Sequence, residues 1–226
     1  MLRSQEATRI RANLSLRETI VLASVAEKRV RKDIEAGRLP RRYSADSAHL
    51  WFRWLDVFCF AAVYSHTLIS AEGRKLVLEK FEEIASRRAY GDGWMAFDVV
   101  SGFEDLMTLF NDRLYLGSSR YLQLDLSRVF HDVKPRVELY AAGLLRIEER
   151  GDVFAGEPVF CGSRLPVRHV GEMADRGETI ENIIEDYPGL ESKDIEFARL
   201  YFRAHPAMGR PRKAAESSVA AQTASR

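Results

Sequence analysis

Between Gly156 and Val167 the chain reads GEPVFCGSRLPV, which brings Cys161, Gly162, Ser163 and Arg164 together after a short apolar run. A tyrosine-phosphatase loop needs a cysteine, five residues and then an arginine, so that backbone amides and a guanidinium cradle a phosphate. That place is held by Val167. A phosphate loop of the Walker type needs Lys-Ser or Lys-Thr after its last glycine, and neither follows Gly162. A thiolate nucleophile needs a cationic, partly exposed setting and a histidine base. Cys161 follows Val159 and Phe160 directly, so it is expected as a buried strand residue, with Gly162-Ser163-Arg164 as a turn and Pro166 at a helix start.

The histidines His49, His66, His131, His169 and His205 are spaced so that no two share a helix face at i, i+4, and none lies near a cysteine in sequence. No metal site and no cofactor is expected. The acidic pairs Glu82-Glu83, Glu104-Asp105 and Glu148-Glu149 place neighbouring carboxylates in different directions on a helix, which suits a solvated face and not acid-base chemistry. No catalytic residue is assigned, and a protein that is not an enzyme is expected.

The cations are arranged with more purpose. Lys28, Arg29, Arg31 and Lys32 flank Val30 and Ile34, which should point inward, and Arg38, Arg41 and Arg42 follow at once. A DNA-reading helix needs an inward apolar stripe to seat it and outward cations for phosphates and base edges. These seven residues are the expected DNA-binding set. The elements that would position them are two short helices: Ser15 caps the first with Glu18 completing a capping box, a break falls at Ala23–Ser24, and Gly37 and Pro40 end the second.

Charge is unevenly spread over the 226 residues, whose net charge is +1. Residues 1–50 carry 11 Lys/Arg against 6 Asp/Glu, residues 151–206 carry 6 against 11, and residues 207–226 carry 4 against 1. The division predicts separate tasks: a helix-turn-helix DNA-binding domain over 1–45, a helical or mixed middle region over 46–143, an acidic helical module over 144–206, and a disordered basic tail over 207–226, too poor in large apolar residues to order itself. The fold class is mainly α with minor β: a helix-turn-helix at the N-terminus, a helical middle with a few short strands, and a second helix-turn-helix-like unit before the tail. Its expected elements include helices over Asp46–Ser65, Glu72–Arg88 and Leu126–Leu139, short strands, a helix around Phe103–Leu109 or both within residues 94–123, and strands at Leu144–Glu148 and Pro158–Cys161. Helices over Val167–Arg176, Thr179–Pro188 and from a Ser192 cap to His205 complete the set. Two cysteines and no apolar leader at the N-terminus point to a reducing cytoplasm, and Arg53, Asp56 and His66 interrupt the most apolar window, so no membrane span is expected.

Three stretches in order, GEPVFCGSRLPVRHVGEM, IIEDYPGL and DIEFARLYFRAHPAMGRPRK, resemble the domain-of-unknown-function family numbered 433, over about residues 150–213. Ser163 stands where that family usually has threonine and Cys161 where arginine is common. The family is similar to VapB-type antitoxins, encoded beside PIN-domain ribonuclease toxins, and residues 15–40 look like the MerR/excisionase helix-turn-helix found in longer members, with Ser24 where a turn glycine is usual. The resemblance implies an antitoxin that binds and inhibits a PIN-domain ribonuclease and represses a shared promoter through operator DNA; a homodimer is expected, with the acidic module, which phosphates would repel, assigned to dimerisation or toxin docking. It implies toxin contact by Arg210, Pro211, Arg212 and Lys213, where a guanidinium would pair with the nuclease's metal-holding carboxylates. A stand-alone transcription regulator whose middle region senses a ligand or dimerises is the alternative.

Overall fold

In a computed structural model the described residues are 13–39, 50–65, 67–87, 114–116, 122–149, 151 and 156–206. Strand β1 (Asn13–Ser15) leads into helix α1 (Leu16–Ala23), and α2 (Glu27–Glu35) follows after a short turn. Strand β2 (Trp51–Arg53) runs into α3 (Trp54–Tyr64), and α4 (Ala71–Arg87) comes next. Strands β3 (Leu114–Leu116) and β4 (Leu122–Leu124) precede the long α5 (Leu126–Leu144). The C-terminal part comprises β5 (Ile147–Glu148), β6 (Val159–Phe160), α6 (Val167–Arg176), α7 (Ile180–Asp186) and α8 (Ser192–Ala204). The fold is mainly α with minor β, as the sequence predicts. The three sheets among the described residues are antiparallel pairs, β1-β2, β3-β4 and β5-β6.

Helix α3 is the centre. Every one of its residues is buried, because WLDVFCFAAVY is apolar on all sides after the single Asp56 of its first turn and so has no face to give to water. Helices α1, α4 and α5 pack around it. The interruptions that argue against a membrane span here serve as a cap: Asp56 accepts the Arg53 backbone N–H at 2.6 Å, at the helix N-terminus where a carboxylate is favoured. No helix among the described residues is long and apolar enough to cross a membrane.

Two expected boundaries move. The helix expected from Asp46 begins only at Trp54, because Trp51–Arg53 pairs with β1 in the register Asn13↔Arg53, Leu14↔Phe52 and Ser15↔Trp51, burying Leu14 and Phe52 together. The strand expected from Leu144 begins at Ile147, because Leu144 still lies on the inward stripe of α5 with Leu126, Phe130, Val133, Val137 and Tyr140. Pro135 inside α5 is tolerated because it lies on the exposed side, where the carbonyl it leaves unbonded can meet water. The helix expected around Phe103–Leu109 lies outside the described residues.

The C-terminal helices follow the sequence closely. Gly177, at φ +99°, closes α6, and Thr179 caps α7 by accepting the Asn182 N–H at 3.2 Å. At α8 the cap is Glu191, with Asp194 accepting its N–H at 2.9 Å, and not Ser192, which is the first helical residue. Helices α6 and α8 meet at backbone distance through Gly171, where a Cβ would stand 2.2 Å from the Ala198 carbonyl oxygen. A second glycine, Gly143, admits the Phe197 ring between α5 and α8. One continuous apolar core joins residues from Leu14 to Ala198.

Candidate nucleic-acid interface

The N-terminal helix pair is built from local signals. Ser15 Oγ accepts the Glu18 N–H at 3.2 Å and Glu18 Oε2 accepts the Ser15 N–H at 2.8 Å, a closed capping box. Ser24 ends α1 in the left-handed conformation (φ 55°, ψ 47°), a strained setting for a residue with a side chain and one that explains why glycine suits this place. Val30 is fully buried and Ile34 half-buried, so α2 is seated by the stripe the sequence predicts.

What fixes α2 most firmly is a charge. Asp33 is buried on the inner face, where Arg74 of α4 grips it through Nε at 2.7 Å and Nη2 at 3.0 Å. Tyr64 of α3 donates its hydroxyl at 3.2 Å, and Arg38 adds Nη1 at 3.3 Å. Burial alone would raise the Asp33 carboxyl, yet the hydrogen bonds and charge of Arg74, with Tyr64 and Arg38, hold it below the usual carboxylate range. Its hydrogen bond to Asp33 raises Arg74, while burial and the neighbouring carboxylate raise Tyr64. Arg74 also lies over the Tyr64 ring at 5.4 Å. A forked guanidinium and a planar carboxylate fix angle as well as distance, so α2 is locked to α3 and α4 in one orientation.

The seven sequence-predicted cations divide under this geometry. Lys28, Arg31 and Lys32 are exposed on α2, although Arg31 is paired with Glu27 one turn back at 2.7 Å. Arg29 is a correction to the outward placement: it is half-buried and its Nη1 donates to the Tyr64 carbonyl at 3.0 Å, satisfying the C-terminal end of α3. Arg38 is likewise half-buried, bonded to Asp33 and 3.5 Å from Glu72. The structure thus leaves Lys28 and Lys32 as the open cations of α2, with no ion-pair partner among the described residues. Arg41 and Arg42, and the expected toxin contacts Arg210, Pro211, Arg212 and Lys213, lie outside the described residues.

Sequence reasoning missed Asp33 and Arg74. Asp33 sits three residues after Val30, on the stripe that should be apolar, and a carboxylate there was the available signal. It also missed a second buried group. Glu18 Oε1 accepts the Tyr140 hydroxyl at 2.6 Å and lies 3.2 Å from His205 Nε2, so α1, α5 and the end of α8 converge on one carboxylate.

The Cys161 loop is corrected in one respect. The strand ends at Phe160, and Cys161 opens the turn, exposed, instead of lying buried in the strand. Its N–H donates to the Arg146 carbonyl at 2.9 Å, Gly162 takes φ +73°, and Ser163 Oγ donates to the Phe160 carbonyl at 2.9 Å. Partial burial and the Glu148 charge push the thiol up, away from the thiolate that nucleophilic chemistry needs. His169 is engaged instead with the Tyr187 hydroxyl at 3.2 Å. No cluster of metal-ligating side chains occurs among the described residues. A groove of about 660 Å³ runs between the α1–α2 turn, the end of α3 and the first half of α5, lined among others by Ser24, Ala62, Val129 and Arg136.

Comparison with known proteins reaches the C-terminal part. Residues 147–202 match the family DUF433, described as a protein of unknown function, which covers β5 through most of α8. A protein of Sinorhizobium fredii named uncharacterized protein y4eO is 30% identical over 92 residues, which are 41% of this chain and 42% of that protein. The aligned part thus spans less than half the length of either protein. No solved structure matches the chain.

Proposed function

We propose that this chain is a DNA-binding antitoxin: α2 contacts operator DNA, and the basic segment after Pro206 engages a PIN-domain ribonuclease whose gene shares the promoter. The observation that carries the DNA half is the helix pair itself. A nine-residue helix, α2, is held rigidly by the Asp33–Arg74 grip on its inner side and offers Lys28 and Lys32, with Arg31, on its outer side. Rigid seating with outward cations is what phosphate and base contact require. The acidic C-terminal unit would be repelled by phosphates, which leaves it to packing or to a protein partner.

The toxin half is supported by the DUF433 match over 147–202 and by the composition of the tail, where Arg210, Arg212 and Lys213 offer forked and point cations to a carboxylate-rich cleft. A homodimer would present two α2 helices to half-sites about 34 Å apart, one turn of DNA. The test pairs two measurements. Fluorescence anisotropy with a duplex from the chain's own upstream region should show salt-dependent binding, and the product of the adjacent gene should co-purify with the full chain and lose its ribonuclease activity. No duplex binding at low salt would end the first half, and an uninhibited, unbound neighbour would end the second.

The groove beside Ser24 favours a second reading, a stand-alone regulator in which a small molecule in that groove changes the α1–α2 turn. Duplex binding that responds to a metabolite with no protein partner would favour it over the first.

A further inference from the structure

One wall of the groove beside Ser24 is a face of α5 whose charges do not pair with one another. Arg128, Asp132 and Arg136 follow one another at single-turn intervals, and all three line the groove. Side chains at that spacing are neighbours on a helix, and opposite charges there attract. Elsewhere on α5 they meet: Lys134 reaches Glu138 across the same interval at 3.4 Å. Along the groove they do not. Arg128 and Asp132, both exposed, have no ion-pair or hydrogen-bond partner among the described residues. Arg136 is held by another bond, since its Nε donates to the Leu22 carbonyl at 3.0 Å, near the end of α1. Its two terminal nitrogens have no partner among the described residues.

The floor is apolar. Ala61 and Ala62, the two smallest side chains of α3, are buried where they line the groove, and Val129 and Val133 of α5 stand beside them. With alanine at both places the groove measures about 660 Å³, inside the range of roughly 300–1,000 Å³ typical of small-molecule sites.

A cation, an anion and a cation over an apolar floor restrict the ligand. A plain carboxylate would bring its charge against Asp132, and a plain amine would meet two guanidinium groups. A zwitterion with its two charges on one carbon answers both. Its carboxylate takes a guanidinium through paired hydrogen bonds, and its ammonium takes Asp132, whose Cβ lies about 5–6 Å from those of the residues one turn away. The apolar floor is left for the rest of the molecule.

We infer that this groove is a site for an α-amino acid with an apolar side chain, its carboxylate on Arg128 and Arg136 and its ammonium on Asp132. Bound there, the ligand bridges α5 to the α1–α2 turn at Ser24. Any consequence for DNA rests on the second reading above, a regulator that answers to a small molecule, whereas the site rests on the groove.

Calorimetry on the full chain without DNA tests it. L-valine, L-leucine and L-phenylalanine are titrated, and the tightest is compared with two analogues, one lacking its amino group and one lacking its carboxylate. The amino acid is expected to bind about tenfold more tightly than either, roughly the effect of one charge-assisted hydrogen bond. Arg128→Gln and Asp132→Asn change exposed side chains and leave the core untouched. Each should weaken the amino acid by about tenfold, and Asp132→Asn should not weaken the analogue that lacks the amino group. Ala62→Leu fills the floor and should abolish binding; if that variant does not fold, the two surface variants decide. No binding of any of the three at millimolar concentration would overturn the site. So would an analogue that binds as tightly as its parent, or an affinity indifferent to both surface substitutions. Binding of the expected pattern that leaves duplex affinity unchanged would sustain the site and remove only the regulator reading.

Discussion

The chain contains two helical units of the same local design, α1–α2 at the start and α6–α7–α8 near the end, and they are held by different means. The first is seated by buried charges: Glu18 beneath α1, and Asp33 beneath α2 in the grip of Arg74. The second is seated mainly by close apolar contact, with Gly171 letting α6 approach the backbone of α8, Val167, Val170 and Ile195 buried, and Phe197 set against Gly143 of α5; its ion pairs, Arg203–Asp175 and Arg146–Asp194, use half-exposed guanidinium groups. Apolar packing tolerates repacking, whereas a forked ion pair fixes an angle. On the proposed DNA-binding reading, the unit that presents cations at a set orientation is the one that uses the ion pair.

The largest effect should come from breaking the first arrangement. Arg74→Met leaves Asp33 buried without its main partner and should cost about 3–5 kcal/mol in urea unfolding, while adding Asp33→Leu should restore much of the loss. The pH dependence gives a signature. The carboxyl of Asp33 is depressed in the folded state, so its contribution is present above the unfolded value near about 3.9 and is lost as pH falls through the folded one. Without Arg74, burial favours the protonated acid, so the gap between wild type and variant should be widest at neutral pH and narrow in acid. A gap that does not vary with pH would mean that the pair is not the anchor.

Next comes the second arrangement. Gly171→Ala forces a methyl against the Ala198 carbonyl oxygen, a backbone atom that cannot swing aside, and should cost about 2–3 kcal/mol by thermal or urea unfolding. Its effect should be insensitive to pH, in contrast with that of Arg74→Met. Tyr140→Phe, at the meeting of the two units, should cost about 1–2 kcal/mol because Glu18 loses a buried donor while the ring keeps its packing.

The same contrast explains what the sequence reveals. Capping box, turn and helix-end signals depend on residues within one turn of each other, so Ser15 and Glu18, Gly177 and Thr179 were legible. Apolar stripes were legible too, as on α5 and α8. The Asp33–Arg74 and Glu18–Tyr140–His205 contacts bring together residues far apart in the chain, and no periodicity encodes such pairings. For that reason the sequence predicts helix where β2 forms, since its pairing with β1 is non-local, and places Arg29 outward although the end of α3 draws it in. Of the candidate interface, the stripe and the exposed lysines were legible, but the division of the cations between surface and scaffold was not.

That division sets the smallest and sharpest prediction. Lys28 and Lys32 are exposed and unpaired among the described residues, so Lys28→Ala and Lys32→Ala should each weaken duplex binding about 3- to 10-fold at moderate salt. Each should also reduce the slope of log affinity against log salt by about 1, because one phosphate contact and its released counterion are lost. Arg31→Ala should do less, since Glu27 already holds that guanidinium in part. Arg38→Ala should behave differently in kind: it removes a donor from Asp33, so it should lower stability and leave the salt slope unchanged. An Arg38 variant that flattened the slope as the lysine variants do would move Arg38 from the scaffold to the interface.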